Sequence, residues 1–502
     1  APVPCEIPSR LVSVDETAAR KVPGFLAVVR SKLLQMSSSE GLGIAAETPG
    51  ALDRIEQALN ARWATEGQAD AEAINQAIDI DRRISARAKR DKSIHDDSVP
   101  DGHWDVDLRI DIPIAAHAAI EPRVAVAQPR VEGGLEMWVG SQDVFYQRDV
   151  VCRRLGLAED KVLIHGCRVG GAFGGKTIST VELEAAVLAH ELKRPVKVQW
   201  TRAQEFLQAF HRPPSSHRVR ARLKNGRLEH WRHDFASSHI LFTGAVVPAW
   251  IQKLTDLIGD DGVARGATLP YSAQAWRTGF DLVRLPVHTG PWRGLGAGPN
   301  GFVIESAIDE CARAAGIDPV TFRLQHIEEP RLKRVLEQAI TSAPTVPAAV
   351  QGKLRGRGVA CGIYKNTSFA AVVADVEVNP ASGEVRVLHM HCAHDCGRAV
   401  NPEQVRAQCE GNLVWGLGMV LVESWSAQVR NFGESPIPRI TQLPGLSVHL
   451  VDHGEPSSGA GETAIVASGA AVANAIRAAT GWRLRKLPLR PQDLQTHLKG
   501  KT

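Results

Sequence analysis

The amino-acid sequence predicts an α/β to α+β protein of two to four domains, on three observations. Its 502 residues exceed what one ordinary core accommodates. A hydrophobic content of 44% with 23% charged residues is that of a globular chain, not of a disordered or fibrous one. Runs of strand character alternate with runs of helical periodicity along nearly the whole length.

In chain order, residues 11–63 read as strand, helix, strand, helix through LVSV, DETAARKVPG, FLAVV and TPGALDRIEQALNARW, a small α/β unit assigned to residues 1–65. Residues 66–105 end in RRISARAKRDKSIHDDSVPDGHWD, which has little apolar content after Ile84 and reads as a solvated surface connector. Between residues 106 and 330, the strand-like VAVAQ, LEMWVGS, KVLIHGCRV and VKVQW alternate with the helical QDVFYQRDVVCRRLG and ISTVELEAAVLAHEL, and the block closes on the helix ESAIDECARAAG. A linker rich in Pro, Gly and basic residues is expected within 331–358. In residues 359–502, two strands flank NPASGE as a hairpin, and helices are expected over 403–423 and 463–481 with a loop-rich span over 424–461.

The net charge of +4, from 59 basic and 55 acidic residues, lacks the concentrated basic stripe of a nucleic-acid binder. No apolar run reaches the roughly 18 residues that cross a bilayer. Small molecules and proteins are the expected partners. Eight cysteines without a CxxC pair supply neither a disulfide scaffold nor an iron–sulfur ligand set. HCAHDC would put Cys392, His394 and Cys396 on one strand face in a zinc-like group; the plainer reading is a buried strand with small thiols in its core.

The stretch GGAFGGKT, Gly170 to Thr177, fits the phosphate-loop pattern G-x-x-x-x-G-K-[ST], in the right order of strand, glycine loop and helix. Against ATP hydrolysis, no apolar strand ending in a magnesium-holding Asp is found in a suitable setting; LRIDI is the nearest candidate and lies upstream. The loop has companions: GSQ (Gly140 to Gln142), GPWRGLGAGPNGFVIESAIDE (Gly290 to Glu310), DCGRAVNP (Asp395 to Pro402), Gln408 with EGNLVWGLG (Glu410 to Gly418), and GAGE (Gly459 to Glu462) followed by ANAIRAATGWRLRKLPL.

Motifs in this order resemble the molybdopterin-binding subunit of the xanthine dehydrogenase and aldehyde oxidase family. FHRPPSSHRVRARL and PVHTGPWRG are most similar to the branch formed by isoquinoline 1-oxidoreductase β-subunits, which includes membrane-associated bacterial aldehyde dehydrogenases. The resemblance covers almost the whole chain. It implies a partial a/b hammerhead domain over residues 1–65, to which LVSVDETAARKVPGFLAVV is similar, and molybdopterin-binding domains of mixed sheets and helices over 106–330 and 359–502. The activity implied is oxidation of an aldehyde or N-heteroaromatic compound with water as the oxygen source, at a molybdenum centre held by the pterin rather than by side chains.

By the same resemblance Glu462 is the catalytic base, and its small uncharged neighbours Gly459, Ala460, Gly461, Thr463 and Ala464 would let its carboxylate approach a bulky cofactor. Its plainer reading is an acidic residue complementing the dipole at a helix start. Gln142 matches a glutamine that hydrogen-bonds an oxo ligand, which a neutral amide N–H can do. Gly171, Ala172, Phe173, Gly174 and Gly175 would make backbone contact near metal and pterin, with Phe173 walling the substrate pocket. Arg293 and Gly461 complete the cofactor-binding set. His117 and Glu121 match a segment near the substrate entrance, but their i,i+4 spacing equally suits a helix-face ion pair, and they carry no catalytic assignment.

Three departures from the family pattern matter. Thr177 stands where purine-oxidising members carry a glutamate, which disfavours xanthine. A G-Q-G segment is missing, and so is the first hammerhead strand. A split or processed subunit is therefore expected, with a second polypeptide completing the molybdopterin site. The chain has no iron–sulfur or flavin motif, so electrons are expected to pass to a [2Fe–2S] subunit, to which this branch often adds a cytochrome c. An inactive scaffold subunit is the alternative. The resemblance leaves open whether the pterin carries an appended cytosine dinucleotide. Members of this branch are often exported folded, which puts a periplasmic or membrane-associated location ahead of the cytoplasm, although residues 1–30 have no signal pattern.

Overall fold

The computed structural model describes residues 6–243, 254–255, 258–345, 350–452 and 454–500; Cys5 lies outside them. The first unit contains β1 (Ser9–Asp15), β2 (Phe25–Val29), β3 (Gly43–Ala46), α1 (Pro49–Ala58) and β4 (Asn60–Thr65). β1 pairs with β4 and β2 with β3, both antiparallel. α1 is capped by the Thr48 hydroxyl and packs Ala51 and Ile55 against Ala19. Two expectations fail here. DETAARKVPG holds only a 3₁₀ turn at Ala19–Lys21, because Pro23 forces Val22 into an extended conformation. NARW is not the end of a helix but the start of β4, drawn into extension by pairing with β1.

The stretch expected to be a solvated connector contains α2 (Ala71–Ala77), α3 (Ile80–Ala86) and β5 (Lys92–Asp96). The Asp70 and Asp79 side chains cap the two helices. Its basic run is not simply solvated. The Arg90 side chain is 1% exposed and pairs with the fully buried Asp281 at 2.8 Å, where Arg83 and Arg87 also converge. That carboxylate lies 191 residues away, beyond the reach of local composition.

Next come β6 (Val106–Ile112), β7 (Val124–Pro129), β8 (Leu135–Val139), α4 (Val144–Leu155), β9 (Val162–Gly166), α5 (Val181–Leu192), β10 (Val196–Gln199), α6 (Arg202–Gln208), β11 (Ser215–Lys224), β12 (Arg227–Ser237), α7 (Asp261–Ala264) and β13 (Ala275–Leu282). They form two sheets, of order β10-β7-β8-β9 and β5-β13-β12-β11-β6. β6 shows why: VDLRIDI alternates buried apolar with outward polar residues, the period of a strand with one face in a core. α4 runs from the Asp143 cap to Gly156, whose φ of 66° ends it.

The last part comprises α8 (Ala297–Ala314), α9 (Pro319–His326), α10 (Pro330–Ser342), β14 (Leu354–Tyr364), β15 (Ser368–Val378), β16 (Val385–Asp395), α11 (Pro402–Leu421), β17 (Gly445–Leu450), α12 (Ala464–Thr480) and α13 (Pro491–Lys499). The sheet order is β14-β15-β16-β17. The expected hairpin around NPASGE is present, β15 and β16 being antiparallel. The segment expected to be a linker opens instead with most of α10, which buries Leu332, Val335, Leu336 and Ala339; its residues 346–349 lie outside the described ones. Likewise the span expected to be loop-rich contains β17, which gains strand structure by parallel pairing with β16.

The largest core lies between this sheet and α10, α11 and α12 and continues past α8 to the five-stranded sheet, taking in Leu108, Ile110, Val219 and Trp231. α12 sits directly on β14: a Cβ on Gly358 would come within 2.2 Å of the Ala475 nitrogen. That close contact fixes the depth of α12, and with it the position of residue 462 just before its first turn.

Candidate functional site

Three loops and one helix face meet at the N-terminal end of α12. They are the glycine loop after β9, the turn over residues 291–296 before α8, residues 459–463, and the side of α11 that carries Gln408 and Trp415. The Gly294 N–H donates to Glu462 Oε1 at 3.0 Å. Arg293 Nε donates to the Gly461 carbonyl at 2.7 Å, and Nη2 to the Gln408 carbonyl and Oε1 at 3.1 and 2.9 Å. The Arg293 guanidinium lies 5.6 Å from the Phe173 ring centre and 5.9 Å from that of Trp415. Phe173 meets Trp415 at 4.6 Å, and Trp415 meets Trp292 at 4.4 Å. Gln142 Oε1 accepts the Gly174 N–H at 3.0 Å. Contacts thus join Gln142, the glycine loop, Arg293, Gly461 and Glu462 into one continuous surface.

Arg293 is 4% exposed, and burial lowers its pKa to about 10 against the opposing pull of Glu462 and Cys409. It stays charged at neutral pH. Its hydrogen-bond partners are two carbonyls and a neutral amide, so its charge is left to act on the site.

The donor set suits a group rich in anionic oxygen. Among the described residues, the N–H groups of Gly171, Ala172 and Phe173 make no hydrogen bond within the chain. The Oε1 atoms of Gln142 and Gln408 are held by N–H donors, which leaves each amide NH₂ free to donate outward. Gly174 (φ +98°) lies where a Cβ would come within 2.7 Å of the Pro291 carbonyl oxygen, so the loop can sit this close to the arginine turn only with glycine there. Phe173 has a φ of 49°, a conformation that costs a non-glycine residue about 1–3 kcal/mol and that the surrounding loop has to hold in place. A bare metal ion is less well served: among the described residues no three His, Cys, Asp or Glu side chains converge as a metal-binding group. In HCAHDC, Cys392, His394 and Cys396 are all buried, as the plainer reading expected.

The helix-face ion pair between His117 and Glu121 does not form, because their segment is not helical. Each instead clamps the glycine loop. His117 Nε2 accepts the Gly175 N–H at 3.0 Å, while Glu121 Oε2 accepts the Gly170 N–H at 2.6 Å and the Lys176 ammonium at 2.9 Å. These bonds also dispose of the phosphate-loop reading: the lysine and the Gly170 and Gly175 N–H groups already have protein acceptors. α5 begins only at Val181, with the Glu182 carboxylate accepting the Thr180 N–H at its start. LRIDI, moreover, is β6, in a different sheet from β9.

Burial lowers the His117 pKa from 6.5 to about 3, with the Arg123 charge acting the same way. A histidine kept neutral in the fold takes up its proton on unfolding, so its stabilisation is complete above about pH 6.5 and is lost as pH falls toward about 3. His117→Gln retains an acceptor for Gly175. The variant should lose less stability than the wild type over that window, by on the order of 3 kcal/mol at about pH 4, read from denaturant unfolding at a series of pH values. Parallel curves would remove His117 from the acid response.

The motifs contain Gln408 and Trp415 without suggesting a role for either, and nothing in them points to Asn412. The three lie at i, i+4 and i+7 on α11, one helix face. Asn412 Nδ2 donates to the carbonyls of Gln408 and Gly461 at 2.8 and 3.2 Å. The spacing was the available signal.

Residues 101–327 match a molybdopterin cofactor-binding domain family, and residues 310–444 match a second such family. A nicotinate dehydrogenase subunit of Pseudomonas putida is 32% identical over 98% of this chain and 42% of its own length. The beta subunit of isoquinoline 1-oxidoreductase from Brevundimonas diminuta is 28% identical over 97% of this chain and 64% of its own length. The chain therefore spans between two fifths and two thirds of these relatives. Aldehyde oxidoreductase from Desulfovibrio gigas superposes with a TM-score of 0.80 at 18% identity, over 98% of this chain and 76% of that one, a likeness of fold.

Proposed function

The chain belongs to the molybdopterin-binding subunits of the xanthine dehydrogenase and aldehyde oxidase family, and on that premise we propose that it supplies the catalytic site of a molybdenum hydroxylase. The substrate is an aldehyde or an N-heteroaromatic compound, and water is the oxygen source. When bound, the molybdenum–pterin group supplies two-electron oxidation at an electron-poor carbon. Glu462 acts as the base, its Oε1 held by the Gly294 N–H and its carboxylate beside the Tyr364 hydroxyl. Gln142 and the loop N–H groups would hold the anionic oxygens of the cofactor, and Arg293 would balance their charge. Phe173 and Trp415 wall the substrate pocket and limit water around the reacting carbon.

The observation that carries this reading is the bond between Gly294 and Glu462, which places a carboxylate beside the buried guanidinium of Arg293. The names of two relatives, nicotinate dehydrogenase and isoquinoline 1-oxidoreductase, support the N-heteroaromatic class. Both relatives are named as subunits, in keeping with electron transfer to a partner. That partner is a [2Fe–2S] subunit, followed in this branch by a cytochrome c. A second polypeptide completes the pterin site. Metal analysis and native mass spectrometry of the purified complex should find one molybdenum and one pterin, plain or as the cytosine dinucleotide, per chain. A complex free of molybdenum would make the chain an inactive scaffold.

A further inference from the structure

Tyr364, the last residue of β14, packs with Trp292, Ile465 and Val466 and is 8% exposed. It begins a three-residue hairpin turn, 365–367, in which the Thr367 N–H donates to the Tyr364 carbonyl at 3.2 Å. The turn residues Lys365 and Asn366 both have positive φ, 53° and 55°, a backbone maintained in non-glycine residues only when the surroundings over-determine it. Two bonds fasten the turn to the segment carrying Glu462: Ser368 Oγ with Thr463 Oγ1 at 2.6 Å, and Ser458 Oγ donating to the Thr367 carbonyl at 2.8 Å. Tyr364 therefore stands beside the Glu462 carboxylate, and burial, joined by that negative charge, raises its hydroxyl pKa.

Two cations flank this tyrosine. Arg265 Nη1 lies 3.4 Å from the Tyr364 hydroxyl, with the guanidinium 5.6 Å from the ring centre, and Lys365 Nζ lies 5.8 Å from that centre. Neither reaches a carboxylate at ion-pair distance among the described residues. Half-buried and buried arginines elsewhere in this chain are mostly paired with Asp or Glu, as Arg109, Arg90 and Arg323 are. Both positions are fixed by the fold. The Arg265 carbonyl accepts Asn300 Nδ2 at 3.0 Å, Asn300 being 1% exposed in the first turn of α8, and Lys365 is set by its turn. A pair of surface cations often does no more than cover an aromatic ring. Here, however, the ring they cover, Tyr364, packs in one cluster with Trp292 and Trp415, and Trp415 meets Phe173 of the substrate wall.

We propose that Arg265 and Lys365 form an anion-recognition subsite, so that the substrate of this site is an aromatic or heteroaromatic compound bearing a carboxylate. The ring lies along the Phe173 and Trp415 wall, and the carboxylate meets the guanidinium and ammonium beside Tyr364. This rests on the hydroxylase reading above and narrows it.

The test compares acid and amide pairs of equal shape, pyridine-3-carboxylate with pyridine-3-carboxamide and 4-formylbenzoate with 4-formylbenzamide, on the molybdenum-loaded complex. A charge-assisted contact should favour each acid roughly ten- to a hundredfold, in KM rather than kcat. Raising the ionic strength should shrink the ratio. Arg265→Gln and the exposed Lys365→Gln should each cut it about threefold or more, and the double variant should bring it near one. Absence of acid preference in the wild type, or a ratio unchanged in the double variant, overturns the subsite. Calorimetric binding of the same pairs separates this outcome from failure of the hydroxylase reading. Equal turnover of acid and amide sinks the subsite and leaves the hydroxylase standing. Acid binding that depends on Arg265, with no turnover of any compound, keeps the subsite and sinks the hydroxylase.

Discussion

Replacing Glu462 by Gln is expected to leave the complex assembled and loaded with molybdenum while lowering kcat roughly 10²- to 10⁴-fold. The substitution suits the geometry. A glutamine Oε1 can still accept the Gly294 N–H now bonded to Glu462 Oε1, and the side chain is only half-buried, so no cavity results; Arg293 loses a nearby negative charge but keeps its bonds to Gly461 and Gln408. What disappears is the capacity of the carboxylate to take a proton. The competing role is acidic complementation of the α12 dipole, a plausible one because Thr463 makes no side-chain cap bond. That role is worth only about 0.3–1 kcal/mol of stability and nothing in turnover. Stopped-flow reduction of the loaded complex by substrate, beside its metal content, separates the two. Activity within tenfold of wild type would remove Glu462 as the base.

Gly174→Ala should abolish cofactor retention, with molybdenum content falling more than tenfold while the subunit still folds. Two costs coincide. The φ of +98° is one that an L-residue rarely adopts, and the new Cβ would lie 2.7 Å from the Pro291 carbonyl oxygen, in backbone that leads directly into Arg293. Relief of the clash requires the glycine loop and the arginine turn to separate, which breaks the Gly174 bond to Gln142 and moves Phe173 from beneath the guanidinium. Gly133→Ala is the control: it has a similar φ of +88° but no atom within 4 Å of the added Cβ, and it lies in the turn between β7 and β8. If both variants lose molybdenum equally, backbone strain in general is responsible and the close approach at Gly174 is not. If neither does, the loop does not hold the cofactor.

The regular elements were legible where local chemistry sufficed. Asp143 and Gly156 mark both ends of α4, and the NPASGE turn announces the β15–β16 hairpin. Elements were misread wherever a distant partner decided. NARW became β4 through β1, the loop-rich span acquired β17 through β16, and the basic run around Arg90 was buried by Asp281. The residues of the candidate site were legible as motifs, since Gln142, the glycine loop, Arg293, Gly461 and Glu462 all stand in recognisable stretches of sequence, and the fold brings them together. Their supports were not. His117 and Glu121 had the spacing of a helix pair, and only the folded chain turns them onto the glycine loop.

The sequence by itself determined which groups exist: a glycine loop that tolerates close approach, a carboxylate among small residues, an arginine between glycines, and the order in which they occur. Tertiary structure alone decided which of their atoms are free to act. GGAFGGKT looks like a phosphate cradle until His117 and Glu121 occupy its outer N–H groups and its lysine, which leaves the N–H groups of residues 171–173 open. Residue type fixes the number of donors and acceptors a side chain carries. Which of them remain unpaired depends on neighbours more than fifty residues away in sequence, as Gly175 and Lys176 show, because a hydrogen bond is settled by distance in space and not by spacing along the chain.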